Sequence, residues 1–148
     1  MRVVIQCVKS SSVIIENKIN GKINKGYTIL VGFTHDDTKE IIDKMIKKII
    51  NLRVFTDEND KMNLSIKDVN GSVLSISQFT LYADTKKSRR PSFSNALEYD
   101  KASTFYDYFN NELSKEVHLE KGIFGADMTV NIENDGPCTI LIDSKLDF

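Results

Sequence analysis

The chain has no tryptophan and, in 148 residues, only two histidines, two cysteines and two prolines. Each scarcity closes off a class of chemistry. Cys7 and Cys138 lie far apart and outside any CxxC or Cys/His spacing, so neither a zinc site nor a disulfide framework is expected. Nothing calls for a metal or a cofactor, and two lone thiols fit a reducing, cytoplasmic setting. No apolar run approaches the roughly 18 residues of a membrane span, so no membrane partner is expected. The opening MRVVIQCV is too short for a signal peptide and lacks its small-residue cleavage site. The glycines form no GxG pattern, which removes a nucleotide-phosphate loop. A formal net charge of −1 excludes a protein that grips nucleic acid by bulk charge, while leaving room for a local basic patch.

What is present has the size and composition of one globular domain spanning residues 1–148. Residues 1–8 and 12–16 are rich in Val and Ile and read as strand. Asn20–Gly21 gives a turn signal before the apolar run YTILVGF. DDTKEIIDKMIKKIINL places Ile41, Ile42, Met45, Ile46, Ile49 and Ile50 on one helical stripe, with Asp37 and Glu40 at capping spacing. A second amphipathic helix is expected over about 95–114, where Leu97, Ala102, Phe105, Phe109 and Leu113 recur. Met128, Val130 and Ile132 then alternate with polar residues, and two strands joined by a turn close the chain. The order predicts a single α/β domain in which a mostly antiparallel or mixed sheet packs with two main helices.

Three stretches carry chemistry. In SISQFTLYAD, residues 75–84, strand periodicity sends Ser77 and Phe79 to one face and Gln78 and Thr80 to the other. Ser77 and Thr80 can meet one ligand only if the strand ends, bends or bulges there, which would also free main-chain N–H groups near Phe79 and Thr80. Free N–H groups beside hydroxyls suit the oxyanion of an ester hydrolysis; the plainer reading is a half-solvated strand. Neither hydroxyl has a sequence neighbour that could serve as base, and His35 and His118 read as surface residues. NDGPCT, residues 134–139, is first of all a hairpin turn, although Pro137 also invites a cis bond. Lys86, Lys87, Arg89 and Arg90 form a basic loop that is by default solvated, yet its place after the SQFT strand lets it hold phosphates near a reactive carbonyl.

SQFT at 77–80 and NDGPCT at 134–139 together resemble the two signature motifs of the D-aminoacyl-tRNA deacylase family. MRVVIQCV, VGF, LRVFTDENDKMNLS, RRPSF and FGADM fall in the same order as in that family. The resemblance implies a barrel-like sheet and a homodimer whose active site lies at the subunit interface. Ser77, Gln78, Phe79 and Thr80 would line the catalytic pocket for the ester of an aminoacyl-tRNA, together with Phe124, Ala126 and Met128 of FGADM. Gly136 and Pro137 of the other subunit, joined by a cis bond, would reject L esters, while D-aminoacyl and glycyl esters would be hydrolysed with help from the ribose 2′-hydroxyl. The basic loop would face the RNA.

Two positions depart from the family pattern. Cys7 stands where the family usually has an arginine associated with holding the Gly–Pro element, leaving Arg2 as the candidate substitute, and Cys138 replaces a valine. Two alternatives follow from the same resemblance. Some members are linked to DNA at replication origins, usually with extra sequence beyond the point where this chain ends in IDSKLDF. A related deacylase clears L-alanine from tRNA through a trans Gly–Pro bond, but with a different strand motif.

Overall fold

The computed structural model describes residues 1–86 and 89–148. Its strands are β1 (Arg2–Ile15), β2 (Lys18–Ile23), β3 (Gly26–Gly32), β4 (Phe55–Thr56), β5 (Met62–Leu64), β6 (Ser72–Ser77), β7 (His118–Lys121) and β8 (Thr129–Asp143); the helices are α1 (Lys39–Asn51), α2 (Tyr99–Leu113) and the short α3 (Ser144–Asp147). A mixed sheet runs β2-β1-β3-β6-β7, with β8 on the other edge of β1. The antiparallel pairs are β1 with β2, β3 and β8, whereas β3, β6 and β7 run parallel. Parallel neighbours need a crossover, and the two predicted helices supply them: α1 lies between β3 and β6 in sequence, α2 between β6 and β7.

Residues 2–8 of β1 pair with β3 and residues 11–15 with β2, so one long strand serves two neighbours on the same edge. The Asn20 amide donates to the Lys121 carbonyl at 2.9 Å, linking β2 to β7. The sheet is thereby nearly closed into a barrel, as the resemblance implied.

Alternation along the strands gives two cores. Val3 and Ile5 of β1 and Tyr27, Ile29 and Val31 of β3 face the helices, where Met45, Ile49 and Phe109 are fully buried. Val8, Val13, Leu74 and Ile76 turn to the other side, against the half-buried Met128, Val130 and Ile132. Phe109→Ala is expected to cost about 3–5 kcal/mol, the usual range for emptying a buried aromatic site, and to move the urea midpoint accordingly. Among the described residues no helix is long and apolar enough to cross a membrane.

Four expectations need correction. The first turn is not at Asn20–Gly21: β1 and β2 join through Glu16 and Asn17, both with φ in the left-handed region (48° and 60°), the geometry of a two-residue hairpin loop. Val13 pairs with Gly21 and Ile14 with Ile19, which leaves Asn20 as a bulge inside β2. Helix α1 is capped by Thr38, whose hydroxyl accepts from the Ile41 N–H at 3.4 Å. Asp37 instead turns inward, accepts from the Thr34 N–H at 2.7 Å and pairs with the Met1 ammonium, a partner that makes burial of its charge tolerable.

Helix α2 begins at Tyr99, later than its apolar stripe suggests, because the N–H of the buried Leu97 is given to the Phe33 carbonyl at 3.0 Å. Residues 134–139 form no hairpin turn either. They belong to the continuous β8, whose register against β1 shifts there.

Candidate active site

The carboxyl ends of parallel strands are where an α/β sheet leaves a crevice for ligands. Val31 and Gly32 at the end of β3, and Ile76 and Ser77 at the end of β6, line a cavity of about 720 Å³. Strand β6 stops at Ser77. The Gln78 N–H still bonds the Val31 carbonyl at 2.7 Å, but Gln78 itself has left the extended region (φ −146°, ψ 79°), and Phe79–Tyr82 make a single 3₁₀ turn. Gly32 permits the turn: a β-carbon there would lie 2.9 Å from the Gln78 carbonyl oxygen and 3.1 Å from Leu81 Cβ, too close to keep.

This geometry meets the expectation that the strand ends in SQFT. Leu81 and Ala83 give their N–H groups to Gln78 and Thr80, at 3.2 and 3.0 Å. The Phe79 and Thr80 amides, at the start of the turn, have no acceptor among the described residues, as expected of the first N–H groups of any helical turn.

Ser77, Gln78 and Phe79 line the cavity; Thr80 does not, and its hydroxyl instead accepts from Gln78 Nε2 at 2.5 Å. Phe79 is 56% exposed and makes an edge contact to Phe93 (centroids 5.0 Å apart). Phe124, Ala126 and Met128 also line the cavity. Phe124 lies edge-on to Tyr99 at 5.0 Å and tilted against Tyr106 at 5.8 Å. Glu98 and Asp127 are the charged residues on the lining. Neither bonds a hydroxyl of the 77–80 turn. His35 contacts the Ser94 carbonyl, His118 lies beside Glu120, and neither lines the cavity. No group of His, Cys, Asp and Glu among the described residues is arranged to hold a metal ion.

Two residues brace the strand end. The buried Tyr106 hydroxyl donates to the Ser75 carbonyl at 2.8 Å, which also accepts the Gly122 N–H at 3.0 Å. Burial pushes the Tyr106 hydroxyl's pKa up, so it remains a donor. Arg2 donates to the Leu81 carbonyl at 2.8 Å and to Asp143 at 2.7 Å, and its guanidinium lies over the Tyr82 ring at 4.7 Å. It therefore serves the 3₁₀ turn and does not replace the arginine missing at position 7. Neither role has a local sequence signal, since both depend on pairings between distant segments.

Gly136 and Pro137 lie elsewhere. Both are exposed, the bond between them is cis, and neither lines the cavity. Asp135 to Cys138 bulge from β8 opposite the single residue Cys7. Cys7 and Cys138 are buried free thiols. Burial pushes Cys7 up to about 12, helped by its hydrogen bond to Cys138 and by the charge of Asp135. The Cys7 thiol at the base of the bulge is therefore kept neutral.

The basic loop leaves and rejoins the body at Asp84 and Ser92, whose main chains exchange hydrogen bonds at 2.8 and 2.9 Å. Since Phe93 lines the cavity, the loop springs from its rim. Lys86, Arg89 and Arg90 are exposed there, and Lys87 lies outside the described residues.

Comparison with known proteins bears on the family and the fold. A family model described as D-Tyr-tRNA(Tyr) deacylase matches residues 4–143. A solved structure described as "c-Myc DNA Unwinding Element Binding Protein" is 37% identical, covers 97% of this chain and 98% of its own, and superposes with a TM-score of 0.92. Another, described as a probable eukaryotic D-amino acid tRNA deacylase, shares the fold at a TM-score of 0.81 and 17% identity, over 95% of this chain and 97% of its own.

Proposed function

Since the chain belongs to the D-Tyr-tRNA(Tyr) deacylase family, and is thereby a D-aminoacyl-tRNA deacylase, we propose that its active site is shared between two protomers. One supplies the cavity at the 77–80 turn, and the partner supplies the 136–137 bulge. The observation that carries this reading is that Gly136 and Pro137 are exposed and outside their own protomer's cavity, while Phe79 is exposed at a turn whose first two amides have no acceptor among the described residues.

The terminal aminoacyl-adenosine enters the aromatic cavity, and the ester carbonyl oxygen sits against the Phe79 and Thr80 amides. Water attacks the carbonyl carbon and gives up its proton with help from the ribose 2′-hydroxyl. Negative charge gathers on the carbonyl oxygen, where the amides stabilise it. The carbon–oxygen bond to the ribose then breaks, and the departing oxygen takes up the proton the water gave up, relayed through the 2′-hydroxyl. The carbonyl oxygens of Gly136 and Pro137 occupy the space an L side chain would need, so L esters are excluded by clash. Glycyl esters, having no side chain, are hydrolysed. Lys86, Arg89 and Arg90 meet phosphates near the acceptor end.

This division of labour leaves Thr80 without a covalent role, because its hydroxyl has no base beside it and is already engaged by Gln78. Thr80→Ala should stay within about tenfold of the parent rate in single-turnover deacylation. A loss of several orders of magnitude would make Thr80 the nucleophile. The shared site is tested by mixing a Gly136→Ala protomer with one carrying a defect at Phe79. Mixed dimers should regain activity through one intact composite site, and failure to recover any would place each site within one protomer.

The relative described as a DNA unwinding element binding protein supports a second reading, binding to opened DNA without catalysis. Single-stranded DNA binding by the purified chain, with no deacylation of any ester, would favour it.

A further inference from the structure

A strand that bulges by several residues loses its ladder partners, and its buried peptide groups must find others. Between the Val8–Asn134 and Gln6–Thr139 pairs, β8 carries residues 135–138 opposite Cys7 alone. Asn134 makes up the loss. Its Oδ1 accepts from the Cys138 N–H at 3.0 Å, and its Nδ2 donates to the Cys138 carbonyl at 3.3 Å and to the Thr139 hydroxyl at 3.3 Å. One side-chain amide thus engages both main-chain groups of Cys138, as a neighbouring strand would. The reverse amide orientation would set a donor against the Cys138 N–H, so the bonding pattern fixes it. Gln6 holds the same Thr139 hydroxyl from β1 at 3.4 Å.

No other side chain described at this bulge does comparable work. The Cys7 and Cys138 thiols are buried, and Arg2 is committed to Asp143 and Leu81. Residue 138 follows Pro137 directly, so whatever fixes its peptide groups fixes the far end of the Gly136–Pro137 unit.

We propose that Asn134 is a specificity-determining positioning residue: by clamping Cys138 it sets where the Gly136 and Pro137 carbonyls point, and with that the discrimination between D and L esters. The inference rests on the reading of 136–137 as the chiral filter. An aspartate at 134 keeps the acceptor for the Cys138 N–H but sets a carboxylate oxygen against the Cys138 carbonyl, and an alanine removes both contacts.

The test measures kcat/KM of the parent, Asn134→Asp and Asn134→Ala on one tRNA charged with D-tyrosine or with L-tyrosine, alongside thermal unfolding. The D-to-L ratio should fall about tenfold in Asn134→Asp and further in Asn134→Ala, in line with one or two lost hydrogen bonds. The fall should come from faster hydrolysis of the L ester. A gain of L activity cannot arise from partial unfolding, so it separates positioning from mere stability. An unchanged ratio in both variants, with a parent that discriminates, overturns the role of Asn134 and leaves the shared site standing. A parent that does not discriminate overturns the chiral filter itself.

Discussion

Gly136→Ala should reduce hydrolysis of a D-aminoacyl ester about a hundredfold or more, while the fold remains intact. Gly136 has φ near +122°, where residues with a β-carbon are strained, typically by about 1–3 kcal/mol. Its new β-carbon would stand 3.1 Å from the Cys138 nitrogen and 3.5 Å from Cys138 Cβ. The same Cys138 N–H is the one held by Asn134. The methyl group therefore pushes on the clamp, and in the proposed shared site it also projects towards the aminoacyl group. A displacement of about 1 Å in a positioned group is enough for a hundredfold loss. The same backbone strain should lower the midpoint of thermal unfolding by several degrees without abolishing the fold, since position 136 is exposed and no core contact is lost. Measuring kcat/KM beside the melting curve separates the two effects, and a variant within twofold of the parent would remove Gly136 from the site.

The second large effect belongs to the substrate. A tRNA whose terminal ribose carries the D-aminoacyl group on the 3′-oxygen but lacks the 2′-hydroxyl should be deacylated about a hundred- to ten-thousandfold more slowly, the usual worth of a positioned proton-transfer group. No imidazole lines the cavity, and the hydroxyls of Ser77 and Thr80 have no carboxylate partner. Single-turnover rates on the two substrates decide the matter. Equal rates would move the base onto the protein, with Glu98 and Asp127, the two carboxylates on the lining, as the next substitutions to make.

Much of this arrangement was legible from residue order, and its limits are physical. The stripes of α1 and α2 could be read because helical periodicity is local and survives folding. A break in the strand at SQFT could be expected because no regular strand presents Ser77 and Thr80 to one ligand. The glycine that admits the turn, Gly32, belongs to a neighbouring strand, and no local pattern reveals that closeness.

Turn-forming residues misled twice, for the same reason. Asn20–Gly21 and the NDGPCT segment both looked like hairpin loops, yet each is a bulge within a strand. Asn, Gly and Pro serve either purpose, and the partner strand, distant in sequence, decides which. The contacts of Arg2, Tyr106 and Asn134 were hidden for a related reason. Their hydrogen bonds join segments that only the sheet brings together, or replace ladder bonds whose loss cannot be seen before the register is known.

The most direct measurement is deacylation of one tRNA charged separately with D-tyrosine, L-tyrosine and glycine by the purified chain at limiting concentration. Rapid loss of the D and glycyl esters with the L ester intact is expected from a site that reads main-chain geometry at 136–137 and little of the side chain. Survival of the D ester, or hydrolysis of D and L esters at similar rates, would contradict it.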